Sequence, residues 1–238
     1  MPVPPREMSL TLDTPEGFHE LPLHLPPDVL DAALWELAEK IWPEGTEFQR
    51  ETTAVVYSDL TEALAADNAL HAAVAFYEAE DGSVSTAQLL VRAEAVDPEA
   101  PEVVAASFQE LLSLADHRSV ARVDLPRGPA VLSLHATETE GEAILPALDF
   151  AHIELYVPAP VPGWLVVLAL TTPCFADLPR YTGILRQIGE SLVMRSAERA
   201  DDLPKGPAAG DVLAAFGLRG AANSDGGDGA RKTTLDTP

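Results

Sequence analysis

An almost unbroken apolar run, WLVVLAL at residues 164–170, constrains the fold of this chain more than any other feature of its sequence. A strand that is apolar on both faces is typical of the interior of a sheet that is covered on both sides. Thr171, Thr172 and Pro173 end the run, because proline cannot donate a hydrogen bond to a sheet ladder. The segment therefore predicts the central strand of a sheet with helices above and below it.

A helix is predicted a few residues after this strand. Asp177 or Pro179 can begin it, since both residue types are favoured at helix starts. Apolar side chains then recur at helical spacing, at Tyr181, Ile184, Leu185, Ile188 and Leu192. The connection is short, so we expect the helix to fold back across the sheet.

Helical spacing is also present in two stretches before residue 70. The first helix is predicted to begin at Asp28, as its cap, and to end before Pro43. The second is predicted over residues 48–64 with one apolar stripe, although its β-branched part, residues 52–57, would suit a strand.

The remaining elements are strands with short connections and one helix. Strands are predicted at residues 8–12, 18–23, 71–80, 83–95, 119–125, 131–138 and 150–157, and the helix at 102–115. Asp81 and Gly82 are a two-residue hairpin signal. Consecutive strands with short turns indicate a mostly antiparallel sheet. The prediction is a single α+β sandwich domain, residues 8–198, with helices covering both faces of the sheet.

The two ends of the chain differ in composition from this domain. Residues 1–7 are rich in proline and are predicted to be disordered. Residues 199–238 are predicted to be a flexible acidic and glycine-rich tail, because they hold too few apolar groups to offset the entropy of ordering. An amphipathic patch at 211–218 either docks as a short helix in a groove or stays unpacked. Its candidate partner-binding residues are Val212, Leu213, Phe216 and Leu218.

The central strand and the last helix together resemble the PsbP-like family. The resemblance rests on the spacing of Trp164, Val166, Leu168, Thr171, Asp177, Tyr181, Ile184, Leu185, Ile188 and Ser191. Pro15, Gly17 and Phe18 are similar to the opening of that family. Its members include relatives of the photosystem P-subunit, a Ran-binding nuclear import factor family and small actinobacterial lipoproteins. The resemblance implies an antiparallel sheet between helices, and a binding or assembly factor rather than an enzyme.

The charge of the chain argues against one class of partner. There are 38 acidic and 15 basic residues, which gives a net charge of −23. Nucleic-acid binding needs a cationic surface that displaces counterions, and Arg118, Arg122 and Arg127 are interleaved with Asp116 and Asp124. Neither nucleic acid nor an anionic membrane is expected as a partner. The acidity serves solubility, presents an acidic face to a basic protein, or binds metal.

The sequence also indicates a compartment. Its one cysteine, Cys174, allows no intrachain disulfide bond, and we expect a buried inert thiol rather than a nucleophile. The start MPVPPREMSL has no apolar leader or lipobox cysteine, and no run approaches the roughly 18 apolar residues of a membrane span. The expectation is a cytoplasmic protein.

The sequence carries no recognisable catalytic motif. GxSxG, GxGxxG and calcium-loop patterns are absent, and the six histidines have no metal-ligand spacing, so no cofactor or metal is predicted. His152 and Glu154 share one face of a predicted strand, and His135 on the neighbouring strand faces the same way. The predicted function is a non-enzymatic protein-binding, assembly or chaperone-type factor, for example secretion-associated or immunity-type. The alternative is a small-ligand binder or hydrolase-like enzyme with a cryptic site at these three residues.

Overall fold

The computed structural model of the chain describes residues 8–78, 82–138 and 148–196. The strands within these residues are β1 (Met8–Thr11), β2 (Phe18–Glu20), β3 (His71–Glu78), β4 (Val84–Ala95), β5 (Ser119–Leu125), β6 (Gly128–Glu138), β7 (Asp149–Pro158), β8 (Trp164–Thr172) and β9 (Val193–Ser196). In this part of the chain seven strands form one antiparallel sheet, in the order β2-β3-β4-β8-β7-β6-β5. The predicted antiparallel sheet is confirmed.

The strand β8 lies at the centre of this sheet, as its apolar run predicts. It pairs with β4 on one side and with β7 on the other. The side chains of Leu165, Val166, Val167, Leu168 and Leu170 are almost completely buried, although they alternate between the two faces. Each face must therefore be covered by another layer.

Helices provide these layers on both faces. They are α1 (Pro27–Ile41), α2 (Glu47–Ala66), α3 (Pro101–Ser113) and α4 (Leu178–Ser191), the last preceded by a 3-10 turn at Phe175–Asp177. One face packs against α4 through Tyr181, Leu185 and Ile188. On the other face, α1 and α2 cover β3, and α3 covers β6 and β7. The predicted α+β class is confirmed as a single domain, whereas the predicted flexible ends lie outside the described residues.

Of the first two helices, α1 begins differently from the sequence prediction. Thr46 caps α2, where its hydroxyl accepts a hydrogen bond from the Gln49 amide and the Gln49 side chain accepts one from the Thr46 amide. The prediction of a helix rather than a strand for the β-branched residues 52–57 is confirmed, because they lie within α2. The prediction that Asp28 caps α1 is wrong, because Pro26 occupies the cap and Asp28 lies within the first turn. Its carboxylate there complements the helix dipole.

One strand, β9, was not predicted. It pairs antiparallel with β1, where Leu10 lies opposite Met194, and the two form a separate ribbon. The amide of Asp13 donates a hydrogen bond to the Ser191 hydroxyl, 3.0 Å away, beside this ribbon. The β1–β9 ribbon thus joins the two ends of the described domain.

A buried hydroxyl pair attaches α4 to the sheet. The Tyr181 hydroxyl lies 2.8 Å from the Ser85 hydroxyl of β4, and both residues are almost fully buried. Each hydroxyl satisfies the other in a region that water does not reach, so loss of one leaves the other unpaired.

We expect Tyr181→Phe and Ser85→Ala each to lower the free energy of unfolding by about 1–3 kcal/mol, because each leaves one buried hydroxyl without a partner. The double variant should cost clearly less than the sum of the single variants, since no hydroxyl then remains unpaired. Urea unfolding of the four proteins measures both quantities. Strict additivity would contradict the proposed pairing.

Candidate functional site

A half-buried strip crosses the middle of the sheet face that carries α1, α2 and α3. These helices stand over the two ends of the sheet, and several side chains of the central strands between them remain half-buried. They are Gln88 and Leu90 on β4 and Ala169 and Thr171 on β8. The strip continues onto β7 and β6, where it becomes a connected group of polar side chains.

This group, which we call the polar network, consists of Arg118, Ser133, His135, Thr137, His152, Glu154, Tyr156 and Thr171. The register of β6 and β7 explains its position, because Ser133 lies opposite Glu154 and His135 lies opposite His152. The structure therefore brings together the three residues of the alternative prediction. Arg118 was missed as a member because it precedes β5 in a connection whose course the sequence does not define.

An ion pair forms the centre of the polar network. One oxygen of Glu154, Oε2, accepts hydrogen bonds of 2.8 Å from the Arg118 guanidinium and 2.8 Å from the Tyr156 hydroxyl. Arg118 also donates to the Ser133 hydroxyl at 3.2 Å. Burial alone would lower the pKa of Arg118, but its hydrogen bond and charge contact with Glu154 raise it. Burial, and then donation to Glu154, raises the pKa of Tyr156. Arg118 and Tyr156 therefore both stay protonated near neutral pH, and both remain hydrogen-bond donors to Glu154.

Two histidines stack beside the ion pair. The rings of His135 and His152 have centroids 4.8 Å apart and an interplanar angle of 18°. Nε2 of His152 is hydrogen-bonded with Thr137 at 2.7 Å, and its Nδ1 with Thr171 at 3.1 Å. Burial lowers the pKa of His152, so the ring is neutral near pH 7.

One atom of His135 has a distinct environment. Its Nε2 lies 3.5 Å from a nitrogen of Arg118, which can only donate, so Nε2 accepts and the proton resides on Nδ1. That Nδ1 is buried and has no hydrogen-bond partner among the described residues; the nearest carboxylate oxygen of Glu154 is 3.9 Å away. Burial, and then the charge of Arg118, lowers the pKa of His135.

The chemistry that this arrangement permits is narrow. Glu154 already accepts two hydrogen bonds on one oxygen, and both nitrogens of His152 are occupied. Across the described ranges, no group of three or more His, Cys, Asp or Glu side chains is arranged to hold a metal ion. The His135 Nδ1 atom remains a buried donor without a hydrogen-bond partner among the described residues.

The lowered pKa values predict a dependence of stability on pH. As the pH falls below about 6.5, the ordinary histidine pKa, the unfolded chain takes up protons at His135 and His152 before the folded chain does. The contribution of these two histidines to the free energy of unfolding is therefore fully present above that pH and is lost progressively below it. We expect the urea midpoint to fall between about pH 7 and about pH 5. The double variant His135→Gln/His152→Gln should show a shallower fall, although its midpoint near pH 7 is lower. An unchanged slope would show that the two rings do not contribute.

Three other histidines lie around a different cavity. His19, His24 and His71 line an open cavity of about 540 Å³ between β2 and α1. Nδ1 of His71 is 3.3 Å from a carboxylate oxygen of Glu20. Burial, and then the charge of Lys40, lowers the pKa of His19. The sequence did not predict this cavity, because His19 lies in the short edge strand β2, His24 follows that strand and His71 belongs to β3.

A groove of about 320 Å³ lies between α1 and α2, and we call it the α1–α2 groove. It is lined by Asp31, Leu34, Trp35, Glu51, Ala54, Val55, Ser58 and Asp59. The lining therefore combines apolar and aromatic side chains with several carboxylates. The indole nitrogen of Trp35 donates to Glu39 at 3.1 Å, which holds the ring at the edge of α1.

The apolar surface continues from this groove along α2. Phe48 is 75% exposed, Val55 is 59% exposed and Val56 is 55% exposed. The prediction that one apolar stripe of this helix includes these three residues is therefore wrong, because they face solvent instead of the core. The core side of α2 is occupied by Leu60 and Leu64, and its other apolar side faces solvent because α2 packs against α1 at the edge of the fold.

Two other predicted sites have simple outcomes. The candidate partner-binding residues Val212, Leu213, Phe216 and Leu218 lie outside the described residues. Cys174 is only half-buried, and its sulfur accepts a hydrogen bond from the Thr86 amide at 3.5 Å. It packs against the main core beside the end of β8.

Comparison with known proteins yields little. No family model matches the sequence, and no curated protein matches it. Among solved structures, the crystal structure of LpqN, involved in cell envelope biogenesis of Mycobacterium tuberculosis, is similar at 12% identity and a TM-score of 0.39. The match covers 80% of this chain and 86% of that chain. A likeness this loose assigns neither family nor function, so the resemblance to the PsbP-like family stays a prediction.

None of the helices in the described residues is both long enough and apolar enough to cross a bilayer.

Proposed function

We propose that this protein is a non-enzymatic binding or assembly factor, and that its α1–α2 groove receives a basic segment of a protein partner. The observation that carries the proposal is the composition of the groove. Trp35 and Val55 provide an apolar wall, and Asp31, Glu51 and Asp59 provide carboxylates beside it. A lysine or arginine side chain matches both parts, because its long stem packs on apolar surface while its charged end reaches a carboxylate.

The charge around the groove supports a basic partner. Residues 27–67, which include both helices, contain ten acidic residues and two basic residues, Lys40 and Arg50. The guanidinium of Arg50 donates to the carbonyl oxygens of Trp42 and Pro43, so it is engaged by its own chain. The local field is therefore strongly negative, which steers a cationic segment towards the groove and repels an anionic one.

The exposed apolar side chains support a protein partner rather than an isolated cation. Phe48 and Val55 are seven positions apart, about two helical turns, and so lie on one side of α2 beside the groove. Buried aromatic and aliphatic anchors supply most of the affinity of protein interfaces, and charges at the rim add orientation and rate. A partner segment with both apolar and basic side chains would contact the exposed apolar anchors and the carboxylates at the rim. Secretion-associated, chaperone-type and immunity-type roles in the cytoplasm all fit such a surface.

Photo-crosslinking in the native cell tests this function. The change is Phe48→p-benzoylphenylalanine, and the matched control is the same replacement at Leu111, an exposed apolar residue on α3. We expect a specific protein adduct from position 48 that position 111 does not give. The crosslinked peptide should be rich in lysine and arginine.

The acidic side of the groove is tested with the partner recovered in this way. Glu51→Gln with Asp59→Asn should weaken binding of that segment about tenfold, and the loss should shrink in high salt. Equal adducts from both positions, or an acidic partner segment, would contradict the proposal.

A second candidate function, binding of a small polar ligand at the polar network, is favoured by the unpartnered donor at His135 Nδ1. A carboxylate or carbonyl oxygen placed beside it would accept that hydrogen bond. A fragment set of small carboxylic acids and amides, followed through the imidazole NMR signals, tests this candidate. Shifts of His135 that the exposed His24 does not share, and that disappear in Arg118→Gln, would support it. Equal shifts at both histidines would rule it out.

A further inference from the structure

The strand β5 is an open edge of the sheet. It is the last strand in the sheet order, and within the described residues its outer side pairs with no other strand. The opposite edge strand, β2, has only three residues, whereas β5 has seven. A long unpaired edge exposes a row of backbone donors and acceptors, which another strand can use.

Two opposite charges stand on this edge. Arg122 and Asp124 are two positions apart, so they lie on the same face of the sheet, and both are exposed. Neither forms an ion pair with any described residue of its own chain. Val123 between them points to the opposite face, where it packs against the core that includes α4.

The order of these residues is self-complementary. If a second copy pairs antiparallel with β5 and the two-fold axis passes through Val123, each Arg122 lies directly opposite the Asp124 of the other copy. The two ion pairs form on one face, and the two Val123 side chains meet on the other. A two-fold axis through Arg122 would instead place arginine against arginine, which is unfavourable.

We propose that two copies of this protein pair through β5, antiparallel and centred on Val123, with reciprocal ion pairs between Arg122 and Asp124. This contact would join the two described seven-stranded sheets into one continuous sheet. The surface lies on a different element from the α1–α2 groove, so the dimer and the proposed function are independent of each other.

The charge of the whole chain sets the conditions for this association. Each copy carries a net charge of −23, and two such chains repel each other at low salt. At physiological ionic strength the Debye length is about 8 Å, so long-range repulsion is screened more than contact ion pairs are. The dimer is therefore expected in salt and should dissociate as the salt is removed.

A charge-swap experiment on the full chain tests the proposal. Sedimentation equilibrium in physiological salt should give twice the chain mass of 25.3 kDa for the wild type. Arg122→Asp and Asp124→Arg should each weaken the dimer about tenfold or more, because each places like charges opposite each other twice. The double variant Arg122→Asp/Asp124→Arg should restore it, since the pairs form again with the signs exchanged. Arg195→Asp on β9, which changes the net charge by the same amount as Arg122→Asp, should leave the dimer intact.

The outcomes separate the possibilities. A wild-type chain that remains monomeric at millimolar concentration overturns the proposal. A dimer that survives both single reversals uses another surface and overturns it as well. Single reversals that dissociate the dimer without rescue by the double variant overturn the register centred on Val123. Far-ultraviolet circular dichroism of each variant shows whether the monomers are folded, and the rescued double variant excludes misfolding as the cause of dissociation.

Discussion

The burial of β8 on both faces is the constraint on which the rest of this structure depends. A strand with water on neither side needs neighbours that complete its ladder, which β4 and β7 provide, and a layer above and below. On one side a single helix, α4, supplies much of that layer, and it is held by the hydroxyl pair of Tyr181 and Ser85. Proteins interleave such layers closely, so the position of α4 follows from the shape of the central strand.

The opposite face is covered in a different way, and its polar chemistry follows from that difference. The pair α1–α2 and the helix α3 stand over separate ends of the sheet, so the middle strip is neither dry nor fully solvated. Charged groups are tolerated there because Glu154 is matched by Arg118 and Tyr156. Burial, together with the nearby charge of Arg118, lowers the pKa values of the two adjacent histidines and favours their neutral form. Most polar atoms of the polar network thus have hydrogen-bond partners that stabilise the fold, whereas His135 Nδ1 has none among the described residues.

The parts of the fold that the sequence predicts are those with local signals. The apolar run predicted β8, and the alternation in β7 correctly placed His152 and Glu154 on one face. The strand β9 was missed because its four residues become a strand only by pairing with β1, far away along the chain. For α2, spacing predicted the helix but not which apolar side would face solvent, since that depends on where α1 and β3 lie. Arg118 joins the site through a loop, for which periodicity gives no information.

The ribbon of β1 and β9 has a consequence for the order of events during synthesis. The first strand of the described domain leaves the ribosome long before its partner, because Leu10 pairs with Met194. Until then, the backbone of β1 has no partner from β9, and the side chains of Leu10 and Leu12 cannot complete their packing against the core that includes Met194. Closure of the domain therefore waits for the end of α4, and a chaperone that shields the early strand would act during that interval.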